Sequence, residues 1–409
     1  MRLQLPITEN TQNNTFFYQA LVVCVCLTFF TLPIGTALFT TCSLSALAIW
    51  LLSGICYRDR ANWQGQDWFV PLTALIILPW LGMLWTSAPL EQSFKLAVRS
   101  HYWLFALVSV AVMKPGCSLR SILLCFISGT TIIAIIVFLS LHGFIPETDY
   151  LHKFLFRYYL TFALFLVISL LLLAFFYKTS TWPRKILLIA LMLFLAVMIT
   201  QLKGRSAYLS LVLLSPWLFI TMFGRRRLIP VLAALLLTFA LMASSGTVRE
   251  RISLIPKEIK LYQSGVSSSY QLPDGSSTPS SIGLRLMMWK DALKIIQQHP
   301  LIGAGTAGYQ LETNKIAPGQ GFSQPHNSYL YIAANYGLLG IGLYGWLLFV
   351  TLKRAWRSRQ QLSGYSILAF LSVILIGSLT DTQILSAATG VVLGFVVGIP
   401  TPQSHKNVI

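Results

Sequence analysis

The sequence predicts an all-α polytopic membrane protein with about twelve transmembrane helices and one large loop outside the cytoplasm. Of its 409 residues, 55% are hydrophobic and only 10% are charged, whereas a soluble domain carries about 25% charged residues. Apolar stretches recur along the chain at close to the roughly 20 residues that cross a bilayer. A single long polar stretch, residues 247–326, interrupts them. These three observations define the fold class.

The apolar stretches give twelve predicted spans. They lie at 16–35, 37–56, 69–86, 101–113, 121–142, 158–177, 186–202, 206–223, 228–245, 327–350, 365–381 and 383–400. The chain then divides into residues 1–246 with nine spans, the outer loop 247–326, and residues 327–409 with three spans and a short tail. An even number of spans predicts that both termini lie on the same side.

Basic residues in the loops predict which side that is. If the N-terminus is cytoplasmic, the inside loops and termini hold sixteen of them: Arg2, Arg58, Arg60, Lys114, Arg120, Lys178, Arg184, Lys185, Arg225, Arg226, Arg227, Lys353, Arg354, Arg357, Arg359 and Lys406. The short outside loops hold six: Lys95, Arg99, Lys153, Arg157, Lys203 and Arg205. The positive-inside rule therefore predicts cytoplasmic termini and a long loop outside the cytoplasm, which is the periplasm if the cell is Gram-negative. This topology also accounts for the net charge of +18 without a nucleic-acid partner.

This topology gives the first testable prediction. A reporter that is active only outside the cytoplasm should be active when fused after Ser276, and inactive when fused after Arg226. Enzyme assays on intact cells measure both fusions. Cytoplasmic activity of the Ser276 fusion would overturn the predicted orientation.

The outer loop is predicted to contain two amphipathic helices. Residues 248–263 form the first, with a break near Pro256, and a Ser-, Gly- and Pro-rich linker follows at 264–281. Residues 282–298 form the second, which ends at the proline and glycines of HPLIGAG. In this second helix Arg285 falls at the centre of the apolar face. A guanidinium there must snorkel, pair with a carboxylate or grip an anion, and we favour an anionic ligand.

Further basic residues lie at the predicted outer membrane boundary. Lys203 and Arg205 fill the very short connection between the seventh and eighth spans, which departs from the positive-inside pattern. A basic residue at a headgroup surface is the alternative interpretation, but a guanidinium suits bidentate capture of phosphate oxygens. Arg157, at the start of the sixth span, is a weaker candidate of the same kind.

His326 is the candidate acid/base residue. It lies where the outer loop meets the tenth span, so it can reach both water and a lipid headgroup. Its ordinary pKa near 6.5 suits proton exchange with a sugar hydroxyl. The neighbouring Asn327 and Tyr329 are predicted to help position a sugar.

The sequence predicts no metal and no cofactor. The acidic residues of the outer loops are scattered, without the paired spacing that a divalent ion on a diphosphate normally uses. No nucleotide-binding motif occurs. None of the six cysteines falls in the long loop, which excludes a disulfide framework there.

Two segments carry a family resemblance. SSIGLRLMMWKDALKIIQQHPLIGAG followed by PHNSYLYIAANYGLLGIGL resembles the signature region of the O-antigen ligase and polymerase superfamily, and TQLKGRSAYLS around Arg205 looks like its other basic motif. The resemblance implies a GT-C-like transferase of the bacterial inner membrane, with its active site facing the periplasm. Its donor would be a glycan on undecaprenyl diphosphate, and a ligase's acceptor would be the lipid A-core of lipopolysaccharide. Arg205, Arg285 and Lys203 would bind the diphosphate, and His326 would act on the acceptor. Membrane lipids would be its other partners.

Three other classes remain to be separated from a ligase. An O-antigen polymerase shares the donor but tends to have two sizeable outer loops, whereas only one occurs here. A transporter or flippase normally carries ionisable residues inside the membrane, and only Asp381 approaches that among the predicted spans. A non-catalytic assembly subunit would not need His326 and two arginines at one cavity.

Overall fold

The computed structural model describes residues 9–113, 119–146, 148–149, 159–202, 204–224, 228–263, 269–271, 277–279, 281–316 and 322–401. Within these ranges the chain is almost entirely helical, as the composition predicts. The helices before the outer loop are α1 (Glu9–Thr31), α2 (Thr36–Leu52), α3 (Ile55–Arg58), α4 (Arg60–Gln64), α5 (Phe69–Leu81), α6 (Leu90–Val98), α7 (Phe105–Val112), α8 (Leu119–Leu141), α9 (Tyr159–Thr179), α10 (Trp182–Gln201), α11 (Arg205–Phe223) and α12 (Leu228–Ser244). A 3₁₀ turn, Arg99–Leu104, joins α6 to α7.

The outer loop and the C-terminal region follow. In the loop lie α13 (Gly246–Gln263), strands β1 (Ser269–Gln271) and β2 (Ser277–Pro279), α14 (Ser281–Gln298) and α15 (Gly308–Ile316). The strands pair antiparallel, with Tyr270 opposite Thr278. After the loop come α16 (Ser328–Arg357), α17 (Leu362–Gly377), a 3₁₀ turn (Gln383–Leu385) and α18 (Ala387–Gly398).

Five described helices, α8, α9, α10, α11 and α16, are long and apolar enough to cross a membrane. Six shorter apolar helical stretches accompany them: Phe16–Thr31, Thr36–Leu52, Phe69–Leu81, Leu235–Ser244, Leu362–Gly377 and Ala387–Gly398. The remaining predicted span, 101–113, falls on the 3₁₀ turn and α7. Each predicted span thus coincides with helical structure, while the total of twelve membrane crossings stays a prediction.

Helix α9 forms the centre of the bundle. Every residue from Thr161 to Ala174 is buried, because α8, α10, α11 and α17 pack around it. A helix that is apolar on all sides has no polar face to turn to solvent, so burial on all sides is its stable arrangement. Other helices instead expose large apolar side chains, such as Leu187 on α10 at 70% and Leu236 on α12 at 70%. Lipid can cover such a surface.

Three local predictions for the loop need correction. Helix α13 continues through Pro256, where we expected a break. Part of the predicted linker forms the β1–β2 hairpin. Helix α15 is a third helix in the loop, where the sequence predicted two. In each case hydrogen bonding or packing with other segments adds stability that local composition does not reveal.

The PLIGAG segment, residues 300–305, docks against a break in α16. The break lies at Gly337, whose φ of 60° and ψ of −153° are not helical. Four main-chain hydrogen bonds of 2.8–3.0 Å join the two segments: Ala304 N to Ala334 O, Gly305 N to Asn335 O, Leu338 N to Pro300 O, and Leu339 N to Leu301 O. A Cβ on Gly303 would lie 2.3 Å from the carbonyl carbon of Asn335, so this approach requires glycine. The segment therefore anchors the outer loop to a membrane helix.

Candidate functional site

The backbone around His326 is fixed by the start of α16. The side chain of Asn327 caps this helix, since its Oδ1 accepts hydrogen bonds from the N–H groups of Tyr329 (2.9 Å) and Leu330 (3.0 Å). Its amide nitrogen donates to the carbonyl of Leu379 at 3.1 Å. His326 itself has a φ of 48°, in the left-handed region that histidine tolerates better than most residues. The cap therefore fixes the main chain directly after His326.

The imidazole of His326 pairs with a carboxylate from the loop that follows α17. His326 Nδ1 lies 2.9 Å from Asp381 Oδ1, and Gln383 Nε2 donates to the other carboxylate oxygen at 3.1 Å. The His326 side chain is 33% exposed and that of Asp381 is 19% exposed. With Nδ1 as the donor, which we assign from this geometry, the lone pair lies on Nε2. The imidazole is then oriented as a proton acceptor.

Helix α14 brings Arg285 to this pair. Its residues Ala292 and Ile295 are fully buried against Tyr309 and Ala334, and burying an isoleucine contributes about 1.5–3 kcal/mol. One turn beyond Arg285, on the same face of the helix, Trp289 Nε1 donates to the carbonyl of Pro325 at 2.9 Å. The helix that carries Arg285 is therefore bonded to the residue before His326.

The Arg285 guanidinium shares an electrostatic environment with the other candidate groups. Burial lowers the pKa of Arg285, the Asp381 carboxylate opposes this by raising it, and the positive charge of Arg205 lowers it further. Arginine still remains protonated in proteins. Arg285 is therefore a partly desolvated cation that lies near both a second cation and the carboxylate that pairs with His326.

Arg205 begins α11 and lies close enough to Arg285 for the two charges to interact. Its Nη2 is 3.2 Å from Oε1 of Glu258, whereas the buried Nη1 has no acceptor among the described residues. The hydroxyl of Ser206, the next residue, bonds to the hydroxyl of Thr380, which precedes Asp381. This contact joins the start of α11 to the loop that carries Asp381. Arg205 thus offers one free, buried donor.

These residues lie in or beside a segment that matches a known family model. Residues 190–345 match the family model described as O-antigen ligase. This part of the chain is similar to the O-antigen ligase domain. No curated protein matches the chain. The domain contains Arg205, Arg285 and His326, whereas Asp381 lies beyond it. The family resemblance read from the sequence is therefore confirmed, and the apolar helices with this domain indicate an integral membrane protein.

The remaining predicted site residues fall into two groups. Lys203 and Arg157 lie outside the described residues. Asn327 and Tyr329 lie beside His326, but their polar groups already have partners: Asn327 caps α16, and the hydroxyl of Tyr329 donates to the carbonyl of Leu375 at 3.0 Å. Their contact with a sugar stays a prediction. In the structure, the cap formed by Asn327 and Tyr329 N–H holds the main chain next to His326.

Two residues of the site were not assigned from the sequence. Asp381 had a signal, because it is the only Asp, Glu, Lys or Arg within the predicted spans, but its partner lies 55 residues away in the chain. Glu258 had no signal, since it belongs to a helix with several charged residues. Within the described ranges, no three His, Cys, Asp or Glu side chains come together as metal ligands. The charged groups that face one another here are those of an arginine pair, a histidine and two carboxylates.

Proposed function

We propose that this protein is an O-antigen ligase. It transfers a glycan from undecaprenyl diphosphate to the lipid A-core of lipopolysaccharide at the periplasmic face of the inner membrane. The observation that carries the proposal is the placement of Arg205, Arg285 and the His326–Asp381 pair at one site, with the first three inside the O-antigen ligase domain.

The proposed chemistry assigns a role to each group. His326 Nε2 accepts the proton of the acceptor hydroxyl, and the hydroxyl oxygen forms a bond to the anomeric carbon of the donor sugar. The bond from that carbon to the diphosphate oxygen breaks, and its electron pair leaves with undecaprenyl diphosphate. Arg205 and Arg285 stabilise the negative charge that grows on the leaving group. Asp381 stabilises the imidazolium that forms.

The proposed placement in the membrane follows the loop charges. Helices α13, α14 and α15 and the site lie on the periplasmic side, both termini lie in the cytoplasm, and the bundle is GT-C-like. Apolar side chains contact membrane lipids, and no nucleic acid is a partner. The two arginines then lie near the outer headgroup level, where the diphosphate of a polyprenyl donor resides.

The direct test is transfer in vitro from purified undecaprenyl-diphosphate glycan to rough lipopolysaccharide. If the protein is a ligase, the reaction should yield a lipopolysaccharide ladder. A strain from which the gene is deleted should accumulate long lipid-linked polymer. A strain whose lipopolysaccharide carries one repeat unit would instead identify a polymerase. Absence of both phenotypes, together with no transfer in vitro, would exclude a transferase of either kind.

A second prediction concerns metal ions. Because two guanidinium groups supply the countercharge to the diphosphate, transfer should proceed at the same rate in excess EDTA. The rate is measured with and without chelator on purified protein. Loss of activity that Mg²⁺ or Mn²⁺ restores would show that the arginines do not suffice.

A further inference from the structure

Glu258 is the exception among the charged residues of α13 whose burial the structure describes. It is 3% exposed, whereas Arg249, Glu250, Lys257 and Lys260 on the same helix are exposed. A buried carboxylate is costly unless its oxygens find charged or hydrogen-bonding partners. Its burial therefore raises the question of what those partners are.

Both carboxylate oxygens of Glu258 have hydrogen-bond partners, and these partners lie on two different helices of the candidate site. Oε1 lies 3.2 Å from Nη2 of Arg205. Oε2 accepts a hydrogen bond of 2.8 Å from the N–H of Ile282, in the first turn of α14. The first N–H groups of a helix lack partners within the helix and favour a negative charge nearby. One carboxylate thus joins the start of α11 to the start of α14.

The bridge that Glu258 forms between α11 and α14 affects the positions of both arginines. Arg285 lies three residues after Ile282, so the carboxylate that holds the start of α14 also sets the position of Arg285. Arg205, held through Nη2, keeps Nη1 buried and without an acceptor among the described residues. The bond to Glu258 is made by Nη2 and does not use Nη1. The bridge leaves one donor of Arg205 available to a ligand.

We infer that Glu258 is a positioning residue that holds Arg205 and Arg285 at the spacing needed to bind one diphosphate. The inference rests on the proposed function. Glu258 does not touch the substrate in this arrangement. It orients the two guanidinium groups before the donor arrives, which lowers the cost of ordering them on binding.

The test compares donor affinity and turnover in the purified full-length protein in nanodiscs. The probe for affinity is undecaprenyl diphosphate without glycan, measured by equilibrium binding. Glu258→Gln keeps the shape of the side chain but removes its charge. It should weaken binding about tenfold or more and raise the donor KM in parallel, with a smaller effect on kcat. Glu250→Gln, an exposed change on the same helix, is the matched control and should bind like the wild type.

A double-mutant cycle separates positioning from general loss of structure. In an Arg205→Gln background, Glu258→Gln should cost less affinity than it does in the wild type, because part of its effect acts through Arg205. If Glu258→Gln does not fold, Glu258→Asp replaces it. That side chain keeps the charge but is too short to reach both partners, and it should give an intermediate affinity.

The outcomes are distinct. Wild-type affinity and donor KM in the Glu258 variants, while Arg205→Gln loses binding, would overturn the inference and leave the proposed function standing. Equal costs of Glu258→Gln in both backgrounds would also overturn it. If the wild-type protein itself does not bind undecaprenyl diphosphate, the proposed function fails and the inference fails with it.

Discussion

Replacing His326 with alanine is expected to lower the transfer rate by roughly 10²–10⁴-fold while leaving donor affinity nearly unchanged. The imidazole is held by Asp381 at 2.9 Å with its other nitrogen free to accept a proton. Its loss removes proton transfer from the acceptor hydroxyl but leaves both arginines in place. Donor affinity and single-turnover rate, measured separately on purified protein, report the two effects.

The backbone of His326 calls for a second variant. Its φ of 48° is strained for alanine, whereas asparagine adopts that region readily. His326→Asn therefore keeps the backbone and removes the base, and it should be as inactive as the alanine variant. His142→Ala, an exposed histidine away from the site, is the control. Transfer at the wild-type rate by His326→Asn would contradict the assignment of this residue as the base.

Replacing Arg285 with alanine is expected to lower turnover by on the order of 10²-fold or more. A charge-assisted hydrogen bond contributes about 1.5–3 kcal/mol, and this guanidinium is partly desolvated, so its interaction with the growing charge of the leaving diphosphate is stronger than at an exposed site. Arg285→Lys should recover part of the activity, because an ammonium cannot bind two oxygens in a fork.

Donor affinity should fall together with turnover in the Arg285 variants, in contrast to the His326 variants. Lys290→Ala is the matched control, since Lys290 lies on the same helix and is exposed. Equilibrium binding of undecaprenyl diphosphate and initial transfer rates measure both quantities. Normal binding and normal turnover in both Arg205→Ala and Arg285→Ala would show that the diphosphate binds elsewhere.

The helices were predictable because their signal is local. Each predicted span is a run of apolar residues, and such a run can be identified from its own residues without knowing what packs against it. Arg285 was found for a related reason: a charge at the centre of an apolar helical face is anomalous within the helix itself. His326 was found from its position between a polar loop and an apolar run.

The partners of these residues were not predictable, because partner choice depends on tertiary packing. Asp381 reaches His326 across 55 residues and Glu258 reaches Arg205 across 53. Nothing near Glu258 in the sequence distinguishes it from exposed charges on the same helix. The break of α16 at Gly337 was likewise hidden, because the glycine is required by the main chain of residues 300–305 rather than by its own neighbours.

The four main-chain hydrogen bonds between residues 300–305 and α16 make access to the site asymmetric. The C-terminal end of α14 cannot lift from the bundle without breaking them and separating two backbones that only glycine allows to approach. At the other end, the N–H of Ile282 is held by the side chain of Glu258, and side-chain contacts exchange more easily than a backbone ladder. The end of α14 nearest Arg205 can therefore move at a lower cost than the end that residues 300–305 hold.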